Sequence, residues 1–480
     1  MKKTFWSGFL LVFILSFFPL FMHLDSLPLF VYDEGRTANS ALEMVQNGNW
    51  LVVHYDGKPE LWSTKPPFLI WMQALSMKAF GFNLLAVRLP SALAGLATIL
   101  AVFAFLWRQT HSLIPPLAAS LALLTMPGFV AIHSTRTGDY DALLTLWSTL
   151  FLLQFFLFCQ EKTVGKRNKH LWLSLVFFTL GVLTKGIAIF LFLPGLLLFL
   201  GASRRLLPLL RNPHFYYATL ASTGVIASYY LFREWAGPGY LAAVVQNELG
   251  GRFLHVVEGH HGPWYYYFEA LVLEKCRPWI GFVPIAIWYS FRDPQGARRP
   301  LWGFLLWNTL AFLLILSMAQ TKLHWYIIPV LPLLSLAIGG VVGILIERIE
   351  DTSGRPFLVQ GLVIFALFLF PFIHQIQQSY QIRDKLPEWE TRQYGPYMKI
   401  VQDWPSYTAV ETNYNAHLAF YVKIYRAKGQ DLKRKYPHEL SQGDTILLCE
   451  DHARNAVLAR WSIKPLHTYK NCGLYLVKEK

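Results

Sequence analysis

Five groups of residues in this chain have types and spacings that could do chemistry. The first is Val31-Tyr32-Asp33-Glu34-Gly35-Arg36, followed at a distance by Thr64-Lys65-Pro66-Pro67. The second is Arg136-Thr137-Gly138-Asp139-Tyr140-Asp141, and the third is Thr184-Lys185-Gly186. The fourth runs from Asn247-Glu248 through Arg252-Phe253 to Glu258-Gly259-His260-His261. The fifth is Thr321-Lys322-Leu323-His324-Trp325-Tyr326. All lie at the ends of apolar segments, where desolvation makes a charge costly and an ionisable residue usually has a task. Carboxylates can take a proton from an attacking group, and several cations can hold a phosphate and steady its negative charge. Arg252 suits phosphate particularly well, because its planar guanidinium makes paired hydrogen bonds.

Each group also has a structural reading. Asp33, Glu34, Asp139 and Asp141 could complement helix N-termini. Lys65 and Lys322 could reach from apolar surroundings to lipid headgroups. Lys185, inside an otherwise apolar hairpin, needs a carboxylate or an anionic ligand. His260, His261 and Glu258 are weak candidates for a divalent metal, since their spacing is not a strong zinc signature. No phosphate-binding loop, dinucleotide fingerprint or Ser-His-Asp arrangement is present, which argues against an ATP-driven pump.

The elements that position these groups are membrane spans. The chain is 54% hydrophobic and 16% aromatic, with a mean hydropathy of +0.34, too apolar for an ordinary soluble protein. A span needs about 20 apolar residues to cross about 30 Å of hydrocarbon. About eleven segments meet that need, near 8–30, 84–107, 113–133, 142–159, 171–184, 187–201, 215–233, 278–291, 301–318, 326–346 and 357–374. The first reads as a retained span, because no small-residue cleavage site follows it.

With the N-terminus inside, the cytoplasmic loops collect arginine and lysine, the pattern expected of inner-facing loops. That accounts for much of the +14 net charge without nucleic acid. The same threading places Asp33, Glu34, Lys65, Asp139, Asp141, Lys185, Arg252 and Lys322 together outside the cytoplasm. A single external site follows.

The fold expected is an all-α polytopic membrane protein over residues 1–374, with external loops at 31–83 and 234–277. A small extracytoplasmic α/β domain follows over 375–480. Residues 36–46 have helical periodicity with Gly48 as a stop, and Phe68–Phe80 form a second short apolar helix after Pro66-Pro67. Both suit helices lying along the membrane surface. Strands are expected at 416–422, 445–449 and 474–477. Cys449 and Cys472 could pair in an oxidising compartment, while Cys159 and Cys276 read as buried thiols.

In order along the chain, Asp33-Glu34-x-Arg36, Lys65-Pro66-Pro67 with Trp71 and Arg88-Leu89-Pro90-Ser91-Ala92 resemble the polyprenyl-phosphate-dependent GT-C glycosyltransferases. So do Asp139-x-Asp141, Leu183-Thr184-Lys185-Gly186, Arg252-Phe253 and Lys322-Leu323-His324-Trp325-Tyr326. The resemblance covers roughly residues 5–345 and is greatest to the aminoarabinose lipid A transferases and protein mannosyltransferases. It implies a bacterial inner-membrane enzyme that moves a sugar, with inversion, from a polyprenyl-phosphate donor to an extracytoplasmic lipid, glycan or protein acceptor. Asp33 matches the catalytic aspartate, with Asp141 and Asp139 as the second-loop carboxylates. Glu34, Lys65, Lys185, Arg252, Lys322 and Tyr326 are the expected substrate-binding residues.

Two positions depart from the family pattern. Thr64 stands where a glutamate precedes the lysine, and Asn247-Glu248-Leu249-Gly250-Gly251-Arg252-Phe253 stands where the aminoarabinose transferases have a run resembling His-Glu-His-x-x-Arg-Phe. The glutamate and histidine help bind metal in those enzymes, so no cofactor is certain here. The alternative function is a lipid-linked sugar flippase. No obligate protein partner is implied.

Overall fold

The computed structural model describes residues 2–251, 253–256, 258–292, 299–353, 356–385 and 394–480. The chain divides into two compact units. One comprises Met1–Met22, Glu60–Leu69 and Pro90–Ser379; the other comprises His23–Pro59, Ile70–Leu89 and Tyr380–Lys480. The change of composition near residue 375 falls inside the helix Pro356–Lys385, and the second unit also takes in much of the segment 31–83.

The first unit is a bundle of apolar helices. Among the described residues, seven helices are long and apolar enough to span a membrane. One of these stretches, Val164–Ala202, holds two of the expected segments. It turns back at Gly186, whose φ of +55° few side chains tolerate, and the Phe178 and Phe190 rings then lie 4.9 Å apart. Three further expected segments are helical over Ile114–Leu124, Pro213–Ala236 and Phe282–Arg292. The first and third are short, and the second is less apolar than the seven.

Packing in this bundle relies on close backbone approach and interlocked rings. A side chain at Gly339 would meet the Pro115 carbonyl at 2.5 Å, and one at Gly343 would strike the Pro115 ring. Small residues four apart therefore let Leu331–Ser353 lie directly on Ile114–Leu124. Phe156, Phe199 and Phe304 form an aromatic knot with centroids 5.0 to 6.4 Å apart. Arg136 is buried and donates to the carbonyls of Pro19, Leu20 and Met22, satisfying the open C-terminal end of Lys2–Phe21.

In the second unit a short hairpin, β1 (His54–Tyr55) and β2 (Lys58–Pro59), precedes the C-terminal sheet. The sheet's strands are β3 (Ser406–Val410), β4 (Asp431–Lys435), β5 (Thr445–Leu448), β6 (Ser462–Tyr469) and β7 (Cys472–Lys478). Their order is β4-β3-β5-β7-β6, with β3 parallel to β4 and β5, and β7 antiparallel to β5 and β6. Cys449 and Cys472 form a disulfide.

The expected strand at 416–422 is instead part of the helix Ala416–Ala427. The apolar run cannot be told from a helix by period alone. Here both faces are buried, one of them against Asp33–Asn47, where Asn39 donates to the Ala416 carbonyl. That second helix ends as expected at Gly48, with φ +71° and its N–H on the Met44 carbonyl. Phe68–Phe80 is likewise helical.

Candidate active site

A cavity of about 810 Å³, counted with its open mouth, lies within the first unit. Its polar wall includes Lys65, Asp141, Lys185, Glu248, Thr321 and Tyr326; hydrocarbon from Leu144, Leu191, Phe312 and Leu316 completes it. Two ammonium groups beside an apolar lining suit an amphiphile with an anionic head.

Lys185 is the last residue of Val164–Lys185, where an ammonium complements the helix end. Gly186 then redirects the chain. Lys185 Nζ donates to Asp141 Oδ1 at 2.6 Å and lies 4.8 Å from the centre of the Tyr326 ring. Asp141 sits in the first turn of Tyr140–Gln160, whose helix packs against Val164–Lys185. The cation thus has a carboxylate on one side and an aromatic face on another.

Lys65 comes from an irregular, bent segment pinned by side chains from further along the unit. Tyr240 Oη donates to the Thr64 carbonyl at 2.7 Å, and the Asn247 amide donates to the carbonyls of Leu61 and Trp62. Lys65 Nζ is 3.9 Å from Glu248 Oε1 and 5.4 Å from the Tyr140 ring centre. Each of these two cavity lysines therefore has a carboxylate partner.

Asp139 is not on that wall. It occupies the N-cap position of Tyr140–Gln160 without making the side-chain cap bond. Its Oδ2 instead accepts from the Thr137 hydroxyl and lies 3.4 Å from His133 Nδ1. Burial pushes its pKa up, but His133 and Thr137 outweigh burial and hold the carboxyl below its ordinary range. His133 is stacked on Trp325 with centroids 4.0 Å apart.

Lys322 is drawn away to the end of Arg299–Met318, where its ammonium donates to the carbonyls of Ser317 and Ala319. Burial holds its pKa below the usual lysine value. Its neighbour Thr321 faces the cavity instead. His260, His261 and Glu258 are exposed. Among the described residues, no group of three or more His, Cys, Asp or Glu could hold a metal ion. Thr64 donates its hydroxyl to Glu248, and the Asn247 amide nitrogen is spent on carbonyls. The donor set at these two positions does not fit a metal. Arg252 lies outside the described residues.

Asp33 and Glu34 belong to the second unit. Asp33 is exposed in the first turn of Asp33–Asn47. Glu34 is buried, with both carboxylate oxygens on Arg88 and one also accepting from the Phe30 N–H. Arg88 further donates to the carbonyls of Leu24, Leu27 and Pro28. This pair folds the 24–34 segment around itself, and we assign Glu34 a scaffolding role beside its exposed neighbour.

Sequence reasoning did not single out Glu248, Thr321 or His133 as site residues. Glu248 lay in a quoted motif but had no partner until the fold brought Lys65 to it. His133 carries no local signal at all.

Residues 64–231 match the family described as dolichyl-phosphate-mannose-protein mannosyltransferase, a segment that carries Lys65, Asp139, Asp141 and Lys185. An undecaprenyl phosphate-alpha-4-amino-4-deoxy-L-arabinose arabinosyl transferase of Aeromonas hydrophila is 30% identical over 394 residues, covering 78% of this chain and 68% of the relative. The chain belongs to the polyprenyl-phosphate-dependent GT-C glycosyltransferases. A family member from Pseudomonas savastanoi pv. phaseolicola, with the same description, is also 30% identical; the match spans 75% of this chain but only 64% of that relative's length.

The GT-C fold is equally plain. The crystal structure of ArnT from Cupriavidus metallidurans bound to undecaprenyl phosphate superposes with a TM-score of 0.76 over 98% of both chains, at 16% identity. The Archaeoglobus fulgidus oligosaccharyltransferase in its apo form gives 0.56 over 92% of this chain and 65% of that one, at 14% identity.

Proposed function

We propose that this chain is an inverting glycosyltransferase of the bacterial inner membrane, working outside the cytoplasm. Its donor is a sugar linked to a polyprenyl phosphate, and its acceptor is lipid A, another envelope glycan or a protein. The observation that carries this reading is the cavity in which Lys65 and Lys185 share a wall with hydrocarbon. An anionic phosphate with a prenyl tail matches both halves of that lining.

In the proposed step an acceptor oxygen or nitrogen attacks the anomeric carbon, and its proton passes to Asp33. The bond from that carbon to the phosphate oxygen breaks, and the electron pair leaves with the lipid phosphate. Lys65 and Lys185 steady the charge that grows there, an effect that is large when donors are already in place. By resemblance, Arg252 joins them. Asp141 holds Lys185 in position, and Tyr326 supports it from the ring face.

The test is transfer by the purified protein in lipid, supplied with labelled polyprenyl-phosphate sugars and membrane extracts. The 4-amino-4-deoxy-L-arabinose donor named for the relatives comes first. Labelled acceptor formed by wild type and not by folded Asp33→Asn is the expected result. Donor crossing the bilayer without any new glycoside overturns transfer in favour of transport. Normal turnover by Asp33→Asn would remove Asp33 as the proton acceptor.

A further inference from the structure

Beside Asp33, three tyrosines from separate parts of the second unit are stacked into a ladder. Tyr414, just before the helix Ala416–Ala427, lies between Tyr32 and Tyr55 of β1. Its ring centre is 6.3 Å from that of Tyr32 at an interplanar angle of 11°, and 6.1 Å from that of Tyr55 at 25°. These are offset parallel stacks, a favoured arrangement of aromatic quadrupoles.

Arg36 locks the ladder. Its guanidinium carbon lies 4.6 Å from the Tyr55 ring centre and 5.7 Å from that of Tyr414, and the group donates to Tyr414 Oη at 3.4 Å. Its backbone N–H is bonded to the Tyr32 carbonyl, one helical turn back. The terminal ring, Tyr32, is 64% exposed even though its neighbours are fixed. Burying such a ring would ordinarily be favourable. Here the fold holds it outward, next in sequence to an exposed carboxylate.

We propose that the Tyr32–Tyr414–Tyr55 ladder is a carbohydrate platform on which a pyranose ring stacks its C–H face, with its hydroxyl rim toward Asp33 and Arg36. A sugar presents both an apolar face and a polar edge, and this surface offers the complement of each. A hydrocarbon chain would use the rings but gain nothing from the flanking charges. Tyrosine fixed in advance loses little conformational freedom on binding. The inference rests on the glycosyltransferase reading and deepens it. The bound sugar belongs either to the acceptor glycan or to the lipid-linked donor.

Saturation-transfer NMR on the full-length protein in nanodiscs tests this directly, without turnover. One arm uses a soluble β-linked glucosamine disaccharide as an acceptor-like probe. The other uses a short-prenyl-phosphate arabinose as a donor-like probe. Saturation of ring C–H protons is expected in one arm, and that arm identifies the source. Tyr32→Ala should weaken binding roughly 3- to 10-fold, the range for losing one aromatic stack, while Tyr32→Trp retains it. Tyr469→Ala removes an exposed tyrosine elsewhere on the same unit and should change nothing. No saturation in either arm, or an unchanged signal in Tyr32→Ala, overturns the platform. A wild type that transfers sugar yet shows no glycan signal rejects the platform alone. One that shows the signal but never transfers rejects the transferase reading instead.

Discussion

Lys185 Nζ and Asp141 Oδ1 are 2.6 Å apart, joining the last residue of one membrane helix to the first turn of the helix before it in sequence. Both side chains are nearly buried, at 10% and 5% exposure. The pair therefore fixes one wall of the cavity as well as supplying it with charge.

Removing one partner strands the other in a poorly solvated place. Lys185→Met should destabilise the protein by about 3–5 kcal/mol, whereas the double replacement Lys185→Met with Asp141→Leu should cost clearly less than two single changes. Thermal unfolding in detergent of the two single variants and the double variant checks this. Additive losses would show that the two side chains are energetically independent.

Glu34 and Asp33 are adjacent but should fail in different ways. Arg88→Leu leaves the buried Glu34 carboxylate unpaired, so helix Asp33–Asn47 should lose about 3–5 kcal/mol of protection in hydrogen exchange. Asp33→Asn should leave that protection intact, because Asp33 is exposed. Equal loosening in both variants would contradict the division of labour between these neighbours.

Asp56 gives the second unit a pH dependence. Burial pushes its carboxyl up, but the hydrogen bond and charge of Arg434, with Lys423 beside it, outweigh burial and hold it below its ordinary value. A carboxyl depressed in the folded state contributes stability above its unfolded pKa of about 3.9 and loses it as pH falls through the folded value. The hairpin β1–β2 should accordingly loosen below about pH 4. Asp56→Asn should abolish that acid limb in hydrogen exchange corrected for intrinsic rates. An unchanged limb would place its origin in another group.

The Cys449–Cys472 disulfide closes a loop with a sequence separation of 23 and links the end of β5 to the start of β7. Chain entropy alone puts its contribution near 3 kcal/mol. Reduction should lower the unfolding midpoint of the sheet while leaving the far-ultraviolet helical signal of the membrane bundle in place. Identical curves with and without reductant would count against a stabilising role.

The sequence alone determined the membrane helices, the two short helices of the first loop and the family. Those features rest on local signals: length of apolar runs, proline and glycine breaks, and motifs in order. Gly48 stops a helix because its own backbone allows φ +71°, which needs no distant contact. The tertiary structure decided which charges meet. Glu34 sits beside Asp33 in sequence, yet burial against Arg88, 54 residues away, gives it a scaffolding task. Lys322 matches a family motif, but the carbonyl ends of Arg299–Met318 claim its ammonium. Glu248 gained a partner only when the fold brought Lys65 within 3.9 Å. The run at 416–422 became a helix because packing on both faces outweighed a weak local preference. Charge pairing and burial act through space, so residues far apart in the chain settle what each ionisable group can do.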